Sequence, residues 1–118
     1  MVKLTVMYTL PEGADHEAFL QWRTTEHQEE NMGIPGVIKS DFYAVRELYT
    51  HEPGEGTQGS LQAQPLRYRY ITEAYWPDRE TFNAAFFDSG YQKRLMESLQ
   101  RIADPLFLVS EEVLSAEN

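Results

Sequence analysis

The chain has 118 residues, of which 42% are hydrophobic and 13% aromatic, so it is long and apolar enough to form one globular domain with a core. Its 10 Lys and Arg against 19 Asp and Glu give a formal net charge of −9, which argues against nucleic acid or an anionic membrane surface as a partner. There is no cysteine, and this excludes disulfides, thiolate metal sites and thiol catalysis.

Apolar and polar side chains alternate along the first ten residues, which predicts a strand over residues 2–10. This alternation is unlike the continuous apolar stretch of a signal peptide, and no run approaches the ~20 apolar residues that span a bilayer. We therefore expect a cytoplasmic protein.

A helix is predicted from Asp15, whose carboxylate suits an N-cap, to about residues 31–32, with Gly33 as a left-handed C-cap. The first half of this helix carries an apolar stripe. Residues 24–30 are almost entirely polar, which is unusual for a helix that packs on a sheet. Packing alone does not explain this second half.

The remaining chain predicts three more strands and a second helical region. The strands are expected over residues 37–46, 68–76 and 106–114. The helical region begins at 77–78, is interrupted at 88–90 and ends at Pro105. Residues 50–65 hold three glycines, two prolines and three glutamines without periodicity, and they predict a long flexible loop.

The order β-α-β-β-α-β is the split βαβ pattern of the ferredoxin-like fold. In this α+β architecture a four-stranded antiparallel sheet carries both helices on one face, and we expect a single domain over residues 1–118. The strand at 68–76 has bulky side chains on both faces, so the face without helices also needs a cover. A second copy of the chain is the simplest cover, which predicts a homodimer.

Several fragments, taken in their order along the chain, resemble the EthD-like branch of the dimeric α/β-barrel proteins. They are Phe19-x-x-Trp22 followed by His27, the helix exit Ile34-Pro35-Gly36-Val37, the strand end Thr72-Glu73-Ala74-Tyr75-Trp76, Phe82 and Asp104. This resemblance covers nearly the whole chain. It implies a ferredoxin-like fold, a homodimer with facing sheets and a pocket between helix and sheet in each subunit. The superfamily includes cofactor-free monooxygenases, cyclases, dehydratases, decarboxylases and isomerases, and the fold does not choose among them.

Two titratable residues are candidates for catalytic roles. His27, whose ordinary pKa is near ~6.5, can act as an acid or a base at neutral pH, and the alternative is an exposed or capping histidine. Glu73 lies in a strand between apolar neighbours, where burial would raise its pKa. Arg67 and Arg69 share its face by alternation, so the alternative is a cross-strand or same-strand ion pair. His27 and Glu30 share a helical face, but two ligands are too few for a metal site, so we expect no metal and no cofactor.

Aromatic side chains are candidates for the walls of a small-molecule pocket, and the alternative is that they belong to the core or the dimer interface. The candidates are Tyr8, Trp22, Tyr43, Tyr70, Tyr75 and Trp76. The predicted substrate-binding residues are Trp22, Tyr8, Tyr70 and Trp76. We expect a cofactor-free protein that binds an aromatic or polyketide-like small molecule, with His27 as the acid or base. A non-catalytic binding or interaction module of such a pathway is the alternative.

Overall fold

The chain alternates strands and helices around a central four-stranded sheet. The computed structural model describes residues 1–118. Its elements in chain order are β1 (Val2–Thr9), α1 (His16–Thr24), α2 (Glu26–Met32), β2 (Lys39–Ala44), β3 (Leu48–Glu52), β4 (Ser60–Gln64), β5 (Tyr70–Trp76), α3 (Arg79–Phe86), α4 (Ser89–Leu99) and β6 (Ala103–Glu111). Strands β2, β5, β1 and β6 lie side by side in that order, and each neighbouring pair is antiparallel. This confirms the predicted ferredoxin-like fold, to which β3 and β4 are added.

One face of the sheet is buried under the helices. Because side chains alternate along a strand, every second residue of β1 and β5 faces this side. The core there has two halves, one formed by Val2, Leu4, Ala74, Trp76, Phe82 and Ala85 and the other by Tyr8, Leu10, Phe19 and Tyr70. Trp76 and Phe82 are fully buried and pack edge to face, with ring centroids 5.0 Å apart.

None of the helices combines the length and the apolar character that crossing a bilayer requires.

The other face of the sheet carries apolar side chains without a helix to cover them. Tyr43, Leu106 and Leu108 are 50%, 44% and 48% exposed. Their partners across the strands are Ile71, Met7 and Thr5, so these side chains lie on one surface. We call this uncovered surface the bare face of the sheet. The bulky side chains on both faces of the predicted strand at 68–76 had indicated it.

The first predicted helix is divided in two. Thr25 has φ −118° and ψ −89°, which is outside the helical region, so α1 ends at Thr24 and α2 begins at Glu26. The hydroxyls of Thr24 and Thr25 donate to the carbonyls of Leu20 and Gln21, at 2.7 and 2.6 Å. Such hydrogen bonds compete with the helical backbone pattern and bend helices. The polar second half is therefore a separate short helix with a direction of its own.

The left-handed glycine at the helix exit is Gly36 and not Gly33. Gly33 has φ −84°, so the predicted left-handed C-cap there is wrong. Gly36 has φ +78°, and a Cβ at this position would lie 2.3 Å from Cγ2 of Thr81 in α3. The turn before β2 can therefore pack against α3 only because this residue has no side chain.

Residues 50–65 do not form the predicted long flexible loop. They belong largely to an antiparallel hairpin in which β3 pairs with β4, from Leu48 opposite Gln64 to Glu52 opposite Ser60. All but the first residue of the two strands are exposed. With both faces in water, the strands carry no alternation of apolar and polar residues, which is why the sequence pattern did not indicate them.

The last strand begins earlier than predicted. Helix α4 ends at Leu99, and Pro105 lies inside β6 instead of ending the helix. Strand β6 is at the edge of the sheet, where a missing backbone N–H is tolerated. The pairing with β1 shifts register between Met7 and Thr9, and beside this shift Asp104 adopts φ +52°.

Replacement of Gly36 by alanine tests the close approach at the helix exit. We expect Gly36→Ala to lower the free energy of unfolding by at least about 1–2 kcal/mol, because its φ is strained for any other residue and the methyl group meets Thr81. Chemical denaturation followed by circular dichroism measures the change. Gly33→Ala is the matched control, since its nearest atoms lie at an ordinary 3.5 Å, and we expect no loss there. Equal stability of the two variants would contradict this account.

Candidate functional site

A cavity of about 130 Å³ lies between the helices and the helix-facing side of the sheet. It occupies the place where the two halves of the core meet, and most of its lining is hydrophobic. The polar and charged side chains in its wall include Tyr8, Arg23, His27, Glu30, Thr72 and Arg94. A cavity of about 150 Å³ accepts one benzene ring, so the enclosed space is close to the size of a single aromatic ring.

His27 is in the wall of this cavity. Its imidazole stacks on the indole of Trp22, with ring centroids 4.4 Å apart and an angle of 22° between the planes. Its Nδ1 lies 3.4 Å from a carboxylate oxygen of Glu30, but it has no hydrogen bond of good geometry and is shielded from solvent. The break at Thr25 precedes this residue, so α2 brings His27 against the ring that α1 presents.

The surroundings of His27 disfavour its charged form. Burial lowers the pKa of the imidazole below its usual value, and the positive charge of Arg23 lowers it further. Glu30 acts in the opposite direction, and Arg101 adds a weaker lowering effect. The net direction is downward, so at neutral pH His27 is an unprotonated imidazole and can accept a proton.

Arg23 is a buried residue of the cavity wall that the sequence analysis missed. Its side chain is only 1% exposed, and it faces the cavity from α1. The guanidinium donates from Nη1 to Oε1 of Gln28 at 2.7 Å and from Nη2 to the hydroxyl of Thr72 at 3.3 Å. One signal was available in the sequence: Arg23 follows Phe19 by four residues, so it continues the apolar stripe of the helix.

Tyr8 and Trp76 also line the cavity, from β1 and β5. The Tyr8 hydroxyl lies 3.1 Å from that of Thr72, so Thr72 connects it to Arg23. Burial raises the pKa of Tyr8, which keeps its phenol protonated at neutral pH. The indole N–H of Trp76 donates to the carbonyl of Pro35 at 3.2 Å, so Trp76 offers the cavity only its apolar ring.

Glu73 does not share a site with His27. It lies on the bare face of the sheet, where Lys3 Nζ is 2.9 Å and the Thr5 hydroxyl 3.2 Å from its carboxylate. A shift of one residue along a strand moves a side chain to the opposite face, and Thr72 next to it is the residue that faces the cavity. The alternative of a cross-strand ion pair is therefore correct, and the partner is Lys3 on β1 instead of Arg67 or Arg69.

Tyr70 faces the helices but lies outside the cavity. Its hydroxyl is 2.7 Å from Nδ1 of His16, at the start of α1, and its ring stacks on Phe42 with centroids 5.6 Å apart. It belongs to the second half of the core. Of the predicted site residues, the structure thus brings together His27, Trp22, Tyr8 and Trp76. It separates Glu73 and Tyr70 from them.

The polar groups of the cavity do not form a metal-binding cluster. Nowhere in the chain do three His, Asp or Glu side chains come close enough together to hold an ion. His27 and Glu30 are the single such pair in the cavity wall. What the site offers is a neutral imidazole, one buried cation and the phenolic hydroxyls of Tyr8 and Tyr91 around an aromatic-sized space.

A ferredoxin-like sheet with a mostly hydrophobic cavity under its helices defines the class of this protein, and similarity to known proteins specifies the family. The model of the EthD domain matches residues 11–105, so the chain belongs to the EthD family. No functionally curated protein matches the sequence significantly.

Solved structures show the same fold. An EthD family protein from Bacillus halodurans is 19% identical with a TM-score of 0.67, over 96% of this chain and 99% of that one. A monooxygenase of the gene ActVA-Orf6 of Streptomyces coelicolor, in complex with the ligand nanaomycin D, is 14% identical with a TM-score of 0.60, over 99% and 91%. A dimeric ferredoxin-like protein of unknown function from Thermobifida fusca is 13% identical with a TM-score of 0.57, over 92% and 88%. At these identities the likeness concerns the fold alone.

The lowered pKa of His27 predicts how stability changes with pH. Because the native state favours the neutral imidazole, the contribution of His27 is complete above its unfolded pKa of ~6.5 and is lost as the pH falls below that value. We expect wild-type protein to lose more stability between pH 7.5 and pH 5 than His27→Gln does, as measured by urea denaturation at each pH. His51→Gln, in the exposed hairpin, is the matched control and should lose as much as wild type. A His27→Gln profile parallel to that of wild type would refute the assignment.

Proposed function

We propose that the protein binds a small aromatic or polyketide-like molecule in the cavity and that His27 removes a proton from it without a bound cofactor. The reaction would serve a degradative or biosynthetic pathway of the cytoplasm. The observation that carries the proposal is the neutral imidazole of His27, stacked on Trp22 in the wall of a cavity of aromatic-ring size. A ring-shaped ligand in this space lies within reach of a proton acceptor and against an aromatic surface.

The chemistry of the wall suits proton removal. His27 accepts the proton, and the electron pair remains on the ligand as an enolate or phenolate. The protonated hydroxyl of Tyr8 can donate a hydrogen bond to the oxygen on which this charge develops. Neither group has to change its ordinary protonation state before the ligand binds.

Similarity of fold gives limited support. The Streptomyces coelicolor monooxygenase has the same fold and is known in complex with nanaomycin D, so this architecture can hold a small molecule. The carry-over to this chain is our proposal. The alternative function is a non-catalytic binding module. It is favoured by the loss of Glu73 from the site, since a single proton acceptor remains where two catalytic residues were predicted.

Filling the cavity should abolish ligand binding. A thermal-shift screen with single-ring phenols, aromatic acids and larger aromatic polyketides should find compounds that raise the melting temperature, because a ligand of the native state stabilises it by mass action. Ser98→Phe places a ring in the cavity from α4 and should remove the shift. Met96→Phe, which is exposed on the same helix and outside the cavity, is the matched control. Shifts that survive Ser98→Phe would place the ligand elsewhere.

The same compounds distinguish an enzyme from a binding module. Exchange of an acidic ligand C–H for deuterium, followed by NMR, reports proton removal directly. We expect wild-type protein to catalyse this exchange and His27→Gln to bind the ligand without catalysing it. Binding by wild type without exchange or turnover would favour the non-catalytic module.

We also propose that the functional unit is a homodimer in which the bare faces of two sheets meet. The exposed side chains Tyr43, Leu106 and Leu108 would then be covered. The face also carries both signs of charge, through Lys3 with Glu73 and Lys39 with Asp41, so a second copy can oppose it without net repulsion. The similarity to a dimeric ferredoxin-like protein supports this arrangement.

A charge in the bare face should dissociate the dimer. Leu108 lies on β6 opposite Thr5, and we expect Leu108→Glu to convert a dimeric mass into a monomeric one in sedimentation velocity at micromolar concentration. Met96→Glu adds the same charge on an exposed helix position and should leave the dimer intact. A monomeric wild type would refute the proposal.

A further inference from the structure

Arg23 is a buried cation without a counter-charge. A side chain that is 1% exposed has lost the water that would solvate it, and Arg23 forms no salt bridge with any carboxylate. Buried charges in proteins are ordinarily paired, since an unpaired one is strongly destabilising. The amide oxygen of Gln28 and the hydroxyl of Thr72 are neutral acceptors, so they orient the guanidinium without neutralising it.

Donors of the guanidinium also remain unused. An arginine has five N–H donors, and the hydrogen bonds to Gln28 and Thr72 use two of them. The Tyr8 hydroxyl, also in the cavity wall, lies near the guanidinium. Nε is buried and has no partner. Because Arg23 lines the cavity, these donors are available to a group inside it.

The cavity has a local charge opposite to that of the whole protein. Although the chain has a formal net charge of −9, the charged residues in the cavity wall are Arg23, Arg94 and Glu30, two positive and one negative. Glu30 and Arg94 are both exposed, so Arg23 is the one buried charge of the wall. The buried part of the wall is therefore positive, which favours an anion in that place alone.

We propose that Arg23 binds an oxyanion of the ligand, so that the cavity selects an aromatic molecule carrying a carboxylate, phenolate or enolate oxygen. This inference rests on the proposed function, since it names the class of molecule that the cavity takes. A guanidinium donates two parallel hydrogen bonds to such an oxygen pair or two convergent ones to a single oxygen. Tyr8, joined to Arg23 through Thr72, adds a third donor on the same side.

A purely structural Arg23 explains less. Its contact with the ring of Phe42, at 4.5 Å from the centroid, and its hydrogen bond to Gln28 do help to join α1 to α2 and the sheet. A leucine or methionine would fill the same space without a desolvated charge. An anion in the cavity would give the guanidinium the counter-charge that Gln28 and Thr72 do not supply.

The first test uses wild-type protein and two probes of equal shape. Benzoate and benzamide differ chiefly in charge, and both are single rings of the size of the cavity. Isothermal titration calorimetry should show benzoate binding about tenfold or more tightly than benzamide, since hydrogen bonds to charged groups exceed neutral ones by this order. Equal affinities would overturn the inference and leave the proposed function standing. Binding of neither probe, together with no stabilising compound in the thermal-shift screen, would overturn both.

The second test assigns the selectivity to Arg23. Arg23→Gln should weaken benzoate binding about tenfold or more and change benzamide binding little, while Arg23→Lys should retain part of the preference. Arg46→Gln removes the same charge at an exposed position away from the cavity and is the matched control. A preference for benzoate that survives Arg23→Gln would overturn the assignment.

The third test needs no variant and separates a carboxylate site from a phenolate site. The absorbance of 4-nitrophenolate reports the ionisation of bound 4-nitrophenol, and a nearby cation should lower its apparent pKa by about one unit. A lowered pKa shows that the cavity also stabilises a phenolate, as the proton removal by His27 would require. An unchanged or raised pKa together with selective benzoate binding would restrict the site to carboxylates. An unchanged or raised pKa without selective benzoate binding would overturn the inference.

Discussion

The two faces of one sheet determine the organisation of this protein. The helices cover one face only, and the alternation of side chains along β1 and β5 decides what lies on each side. Thr72 faces the cavity and Glu73, the next residue, faces away from it to pair with Lys3. The cavity and the proposed dimer surface therefore lie on opposite faces of the same sheet. Each residue of these strands that faces the cavity is followed in sequence by one that faces the proposed dimer surface.

The electrostatics of the cavity depend on Arg23. Burial, and after it the charge of Arg23, lowers the pKa of His27 and so keeps the imidazole neutral and able to accept a proton. Burial raises the pKa of Tyr8, so its phenol stays protonated and can donate a hydrogen bond. An acceptor, a donor and a cation around one small space are complementary to a molecule that loses a proton and becomes an anion. The pKa shifts of His27 and Tyr8 follow from their positions in the fold, because burial and neighbouring charges move a pKa away from its value in water.

This arrangement costs stability. A desolvated guanidinium with neutral partners and a cavity of about 130 Å³ are both features that a protein optimised for stability alone would replace with apolar side chains. The polar helix α2 buries none of its residues and contributes little to the core. Active sites commonly carry such local losses, which the well-packed remainder of the fold offsets. Here the remainder is the compact cluster around Trp76 and Phe82.

The order of strands and helices in the main sheet, the EthD resemblance and the place of His27 and Trp22 beside the cavity could be predicted from the sequence, because alternation, caps and short motifs act over a few residues. The hairpin of β3 and β4 could not, since strands with two wet faces have no hydrophobic period. Nor could the break at Thr25, where two hydroxyl hydrogen bonds outweigh helical continuity. Alternation along β5 determines which face of the sheet Glu73 lies on. Its ion-pair partner Lys3 could not be predicted, because it is brought near by the pairing of β1 with β5, 70 residues apart in sequence. Arg23 became visible only when packing removed its water, since burial of a charge is a property of the tertiary structure and not of the residue.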